Sequence, residues 1–119
     1  MTMTECLSQI NNIEIDSNVH KTLSEVYSLD LPLMLERIVT FFQSGGFVGG
    51  YRFLSLDEIE HADEDLHVDF KNRKILPLID CFNNDFIVFD YCGKKWMKFN
   101  IIELVAFNIK DTLDELLEN

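Results

Sequence analysis

Two aspartate–histidine pairs stand four residues apart, Asp57 with His61 and Asp63 with His67. On a helix that spacing puts both partners on one face, where two pairs could share a divalent cation. The competing reading is ordinary solvated side chains on an acidic helix. It carries more weight, because no H-E-x-x-H arrangement accompanies the pairs. Asp80, Asp85 and Asp90 recur at five-residue steps and could supply paired carboxylates for acid–base work or a cation site. Turn capping and exposure at strand edges account for them more simply. No G-x-S-x-G elbow is present and no histidine follows position 67, so a nucleophile–base pairing is hard to place. Trp96 among Lys94, Lys95 and Lys98 is a poor nucleic-acid patch in a chain of net charge −11. The glycines from 45 to 50 lack the Lys-Ser/Thr and following helix of a phosphate cradle, and read as a flexible helix-to-strand turn. The chemistry expected is therefore non-enzymatic, without metal or other cofactor.

One run of residues rises above this background. Residues 57–69 contain Asp57, Glu58, Glu60, Asp63, Glu64, Asp65 and Asp69, with no lysine or arginine between them. Like charges so concentrated repel one another unless water or a partner relieves them. One reading is a solvated helix and loop. The other is a docking surface for a basic protein, with these seven side chains as its contact residues.

Several elements must hold that run in place. Ser17 is a plausible N-cap for a helix carrying Val19, Leu23, Val26 and Tyr27 on one face and ending near Leu29-Asp30. Leu31-Pro32 opens a second helix, over 31–43, in which Leu31, Met34, Leu35, Ile38, Phe41 and Phe42 share a face. A strand over 51–55 precedes the acidic helix, expected over 57–66. Lys71-Asn72-Arg73-Lys74 reads as a polar turn. Residues 75–79 form a short strand whose Pro77 argues for an edge or a bulge. Residues 86–91 are apolar on both faces and should lie centrally in the sheet, under helices. A further strand covers 95–99, and 101–107 fits strand or helix equally. Asn108, with Asp111 three residues on, reads as a cap for a final helix over 109–118 with Ile109, Leu113, Leu116 and Leu117 inward. Residues 1–16 are a weakly defined lead-in. The fold class expected is α+β, one domain over 1–119, its largely antiparallel central sheet packed by N-terminal and C-terminal helices.

Composition fits this outline. A chain of 119 residues supports one core, and ten phenylalanines make that core aromatic. Twenty-one acidic residues oppose ten basic ones, so nucleic acid and anionic membrane surfaces are disfavoured as partners and a basic protein is favoured. Three cysteines without C-x-x-C spacing fit inert thiols and a reducing cytoplasm. No basic segment precedes an apolar stretch near Met1, so no secretory signal is read.

The order of motifs resembles the SUKH superfamily. Leu31-Pro32 opens a helix that closes at Phe41-Phe42-Gln43-Ser44-Gly45-Gly46, and Tyr51-Arg52-Phe53-Leu54-Ser55-Leu56-Asp57-Glu58-Ile59 follows. Ile75-Leu76-Pro77-Leu78-Ile79-Asp80, Phe86-Ile87-Val88-Phe89-Asp90 and Asn108-Ile109-Lys110-Asp111-Thr112-Leu113 complete the series over roughly residues 17–118. Ser44-Gly45-Gly46 and Asn83-Asn84-Asp85 depart from the family's usual turns while keeping turn chemistry. The resemblance implies an α+β domain whose bacterial members are mostly immunity proteins, binding and blocking a cognate toxin such as a nuclease or deaminase. Other members, including fungal cell-wall regulators, are similar to interaction scaffolds, so a regulatory protein- or peptide-binding scaffold is the alternative. The residues it carries over, Leu31, Pro32, Gly45, Leu54, Pro77 and Asp90, are structural.

Overall fold

The structure, a computed structural model, describes residues 1–117. The 1–16 lead-in is more ordered than its short pattern suggests. Thr2 and Glu5 form a reciprocal capping box that starts α1 (Met3–Ile10), and Cys6 and Ile10 of that helix are fully buried. Helix α2 spans Ser17–Val26, and Asp16, not Ser17, is its cap: one carboxylate oxygen accepts from the Asn18 and Val19 N–H groups. It stops three residues short of Leu29. Helix α3 is Leu33–Phe41, with Pro32 extended as the cap instead of lying in the first turn.

Six strands form one antiparallel sheet in chain order: β1 (Gly46–Val48), β2 (Tyr51–Phe53), β3 (Ile75–Asp80), β4 (Asp85–Asp90), β5 (Lys95–Asn100) and β6 (Val105–Lys110). The glycine segment is thus not only a turn. It contributes β1, paired with β2 through Gly49 and Gly50, whose φ of +56° and +83° suit a two-residue hairpin. Strand β3 lies inside the sheet, and the ladder accommodates Pro77 by a register shift between Pro77 and Ile79, so the bulge reading holds and the edge reading does not.

Strand β4 is central, and Phe86, Ile87, Val88 and Phe89 are all buried. Register puts Phe53, Ile79 and Ile87 in one row, on which Phe42 at the end of α3 stacks against Phe53 at 4.1 Å. Phe86 and Phe99 share the opposite face, where Phe70 meets Phe99 edge-on at 6.2 Å. Helices therefore cover both sides of the middle strands. A radius of gyration of 13.1 Å matches the ~13.5 Å of one compact unit this long.

The C-terminal third departs most from expectation. Residues 105–110 are strand, not the start of a helix, and Asn108 is no cap. Trp96 opposes Lys110 while Lys98 opposes Phe107, leaving Asn108 and Ile109 bulged against Met97, with Asn108 at φ +51°. Asparagine tolerates that left-handed geometry better than most residues. Asp111, which resembles a capping-box partner in the sequence, instead pairs with Lys95. The last helix, α7, is Leu113–Leu117, with Leu113 and Leu116 buried; position 118 of the expected helix lies outside the described residues.

Candidate functional site: an acidic ridge beside the sheet

The acidic run does not form one helix. It is α4 (Leu56–Glu60), α5 (Ala62–Leu66) and the single turn α6 (Phe70–Arg73), which replaces the expected polar turn. Ser55 starts α4 by a capping box with Glu58: its hydroxyl accepts the Glu58 N–H at 3.1 Å, and its own N–H donates to Glu58 Oε1 at 3.0 Å. The break comes at His61. Its Nδ1 lies 3.0 Å from the Asp57 carbonyl oxygen, which also accepts the His61 backbone N–H, and such side-chain competition bends a helix.

Breaking the helix creates two N-terminal turns where a single helix has one. Asp57 and Glu58 occupy the first, and Asp63, Glu64 and Asp65 the second. Carboxylates are favoured at that end of the helix dipole, which offsets part of their mutual repulsion.

Contacts divide the seven acids into two groups. Glu58, Asp63 and Asp69 hold the fold. Arg52 on β2 donates from Nη1 to Glu58 Oε2 at 2.8 Å, and from Nε and Nη2 to Asp80 Oδ2 at 3.3 and 3.2 Å, tying α4 to β2 and β3. Burial alone would raise the Glu58 carboxyl, but the Ser55 N–H and Arg52 outweigh it and hold the group below its usual range. Asp63 accepts the Phe70 N–H at 3.0 Å across the left-handed His67, and Asp69 caps α6 through the Asn72 N–H at 3.3 Å. Asp57, Glu60, Glu64 and Asp65 form the second group. Among the described residues none of the four is paired with a lysine or arginine.

His61 sits amid this second group, 3.3 Å from Asp57 Oδ1. The bond to the Asp57 carbonyl raises its pKa, and the charges of Asp57, Glu60 and Glu64 add to the rise. Beneath the ridge, the Tyr27 hydroxyl donates to the Ile59 carbonyl at 2.6 Å, fixing α4 against α2, and Ile59, Ala62, Val68 and Phe70 are buried. The carboxylates thus stand on a fixed base.

The other candidates resolve into local structure. Asp63 accepts the Phe70 N–H, and no group of three histidine, cysteine, aspartate or glutamate side chains placed to hold a metal ion occurs among the described residues. Asp80 holds Arg52 and the Phe82 N–H, Asp85 accepts from Asn100 Nδ2, and Asp90 accepts the Cys92 and Gly93 N–H groups. Trp96 is buried, and Lys94 and Lys95 pair with Asp30 and Asp111. Burial raises the Cys6 thiol, and Cys81 is pushed up to about 11; Cys92 is exposed. No described helix is long and apolar enough to cross a membrane.

The structure adds two features that residue patterns do not show. Glu36 on α3 is buried and meets His20 Nδ1 at 2.6 Å. Met3, Leu7 and Leu117 line an open groove of ≈ 520 Å³ between α1 and α7, rimmed by Thr4, Ser8, Asn11 and Asp114. Comparison with family models, with curated proteins and with solved structures finds no match to this chain.

Proposed function

We propose that this chain is a non-catalytic, immunity-type binding protein of the SUKH kind, acting in the cytoplasm by covering the active site of a basic toxin domain. The observation that carries the proposal is the group of Asp57, Glu60, Glu64 and Asp65, four carboxylates that have no lysine or arginine partner among the described residues, on a ridge whose other acids hold the fold. An enzyme that holds phosphates needs a basic groove, and an acidic surface competes for it. Long-range attraction then speeds encounter, and the fixed base reduces the ordering cost of docking. The order of the sequence motifs supports the immunity assignment, as does the net charge of −11.

The test begins with the adjoining gene. A secreted protein with a C-terminal toxin domain encoded there is the expected partner, and that domain should arrest growth alone but not when co-expressed with this chain. Arrest unrelieved by co-expression, with no complex between the purified proteins, would refute the proposal.

A further inference from the structure

Strand β6 is the one element of the sheet exposed along its whole length. Among the described residues it pairs only with β5, so one row of its N–H and C=O groups faces outward. Apolar side chains of the strand and of the turn before it are also open to water: Ile102 and Leu104 in the turn are 69% and 44% exposed, and Val105, Phe107 and Ile109 on the strand 49%, 37% and 56%. An open sheet edge carrying an apolar cluster is a template for another strand.

Three observations select the occupant. The first is charge. The edge is neutral in balance, with Glu103 at one end and Lys110 at the other, and neither forms an ion pair among the described residues. Antiparallel self-pairing centred on the middle of the strand brings the Glu103 end of one copy near the Lys110 end of the other, at both ends of the contact.

The second is symmetry. A two-fold axis normal to a continuous sheet keeps each face on its own side, so opposed side chains must share a face. Val105 and Phe107 do, because they oppose Asn100 and Lys98 on alternate positions of β5. An axis through Ala106 sets Val105 against Phe107 of a second copy, twice, with small Ala106 pairs at the centre.

The third is the bulge at Asn108 and the turn at Leu104, both left-handed, which bound a regular segment no longer than that pairing needs. We propose that β6 pairs antiparallel with β6 of a second copy about a two-fold axis at Ala106, joining two six-stranded sheets into one. The contact is short, so the dimer is weak and forms with rising concentration. Each copy carries −11, so the copies as wholes repel, and added salt should favour the dimer by screening that repulsion.

Sedimentation equilibrium on the full chain tests this, over about three decades of concentration at low and moderate salt. The expected result is a monomer–dimer equilibrium that tightens with salt. Val105→Lys should abolish it while circular dichroism stays unchanged, since an edge lysine blocks pairing. Glu103→Lys and Lys110→Glu should each weaken association several-fold, and the double exchange, which restores net charge and pairing together, should recover it. A monomer at every concentration overturns the proposal. So does a Glu103→Lys chain that associates more tightly than wild type, because that response follows net charge and not the paired ends.

Discussion

The ridge and the β6 edge are opposite solutions to exposure. On the ridge the backbone is capped at Ser55 and Asp69, the apolar side chains point down into the core, and what faces water is charge. On the edge the backbone is open on one side, the apolar side chains face water, and charge is confined to the two ends. Salt should therefore act on them in opposite directions. It weakens attraction between the ridge and a basic partner, and it strengthens self-association at the edge. Under the two proposals, the molecule separates a surface that recruits by charge from one that associates by shape and strand pairing.

The largest effect that could break this contrast lies under the ridge. Phe70 is fully buried against Phe99, so Phe70→Ala should cost about 3–5 kcal/mol, read from urea unfolding. Phe107→Ala, at a side chain 37% exposed, should cost less than about 1.5 kcal/mol in the monomer. Similar losses at the two sites would mean that the edge is as much part of the core as the ridge base.

A smaller effect concerns Arg52. Replacing it with Met leaves Glu58 and Asp80, both partly buried, without their cation, and should cost about 1–3 kcal/mol after allowing for their solvent contact. The pH dependence has a definite sign. The Glu58 carboxyl is held down in the folded protein, so its stabilisation is present above the unfolded value of about 4.3 and fades as pH falls through the lower folded value. Arg52→Met should flatten that acid limb in thermal unfolding, and an unchanged limb would remove Glu58 from the ridge's structural group.

The smallest effect sharpens the ridge's electrostatics. His61 should titrate above about 6.5 by NMR. Glu60→Gln with Glu64→Gln should move it part of the way back, the bond to the Asp57 carbonyl retaining the rest. The raised value makes its contribution to stability complete below about pH 6.5 and lost as pH rises through the folded value. A titration that the double variant leaves unmoved would show that Glu60 and Glu64 do not act on the ridge at this distance.

The middle strands were the most legible part of the chain, because an apolar run such as Phe86-Ile87-Val88-Phe89 has one comfortable place, inside a sheet. The edges were not. Strand β1 is three residues with two glycines beside it, and β6 hides its alternation behind a bulge at Asn108, so Asn108 and Asp111 imitate a helix cap. The ridge was legible as seven acids, but its division was not. Ser55 and Glu58 carry the S-x-x-E signature of a capping box and were within reach of the sequence. The Arg52–Asp80 bond depends on β2–β3 register, and the Asp63–Phe70 bond on the left-handed turn at His67, neither of which a local pattern contains. The division also decides which substitutions are informative: Asp63→Asn disturbs a backbone bond as well as a charge, whereas Asp57, Glu60, Glu64 and Asp65 can be neutralised without removing such a support.

The most direct test of the ridge as a docking surface is a salt series of binding measurements with the basic toxin domain proposed as its partner. Wild type would be compared with a variant carrying Asp57→Asn, Glu60→Gln, Glu64→Gln and Asp65→Asn. The expected result is a lower association rate for the variant and a shallower dependence on salt, with thermal unfolding unchanged or shifted upward as repulsion is relieved. Equal affinity and equal salt dependence in the two proteins would contradict it, and would leave the ridge a solvated face.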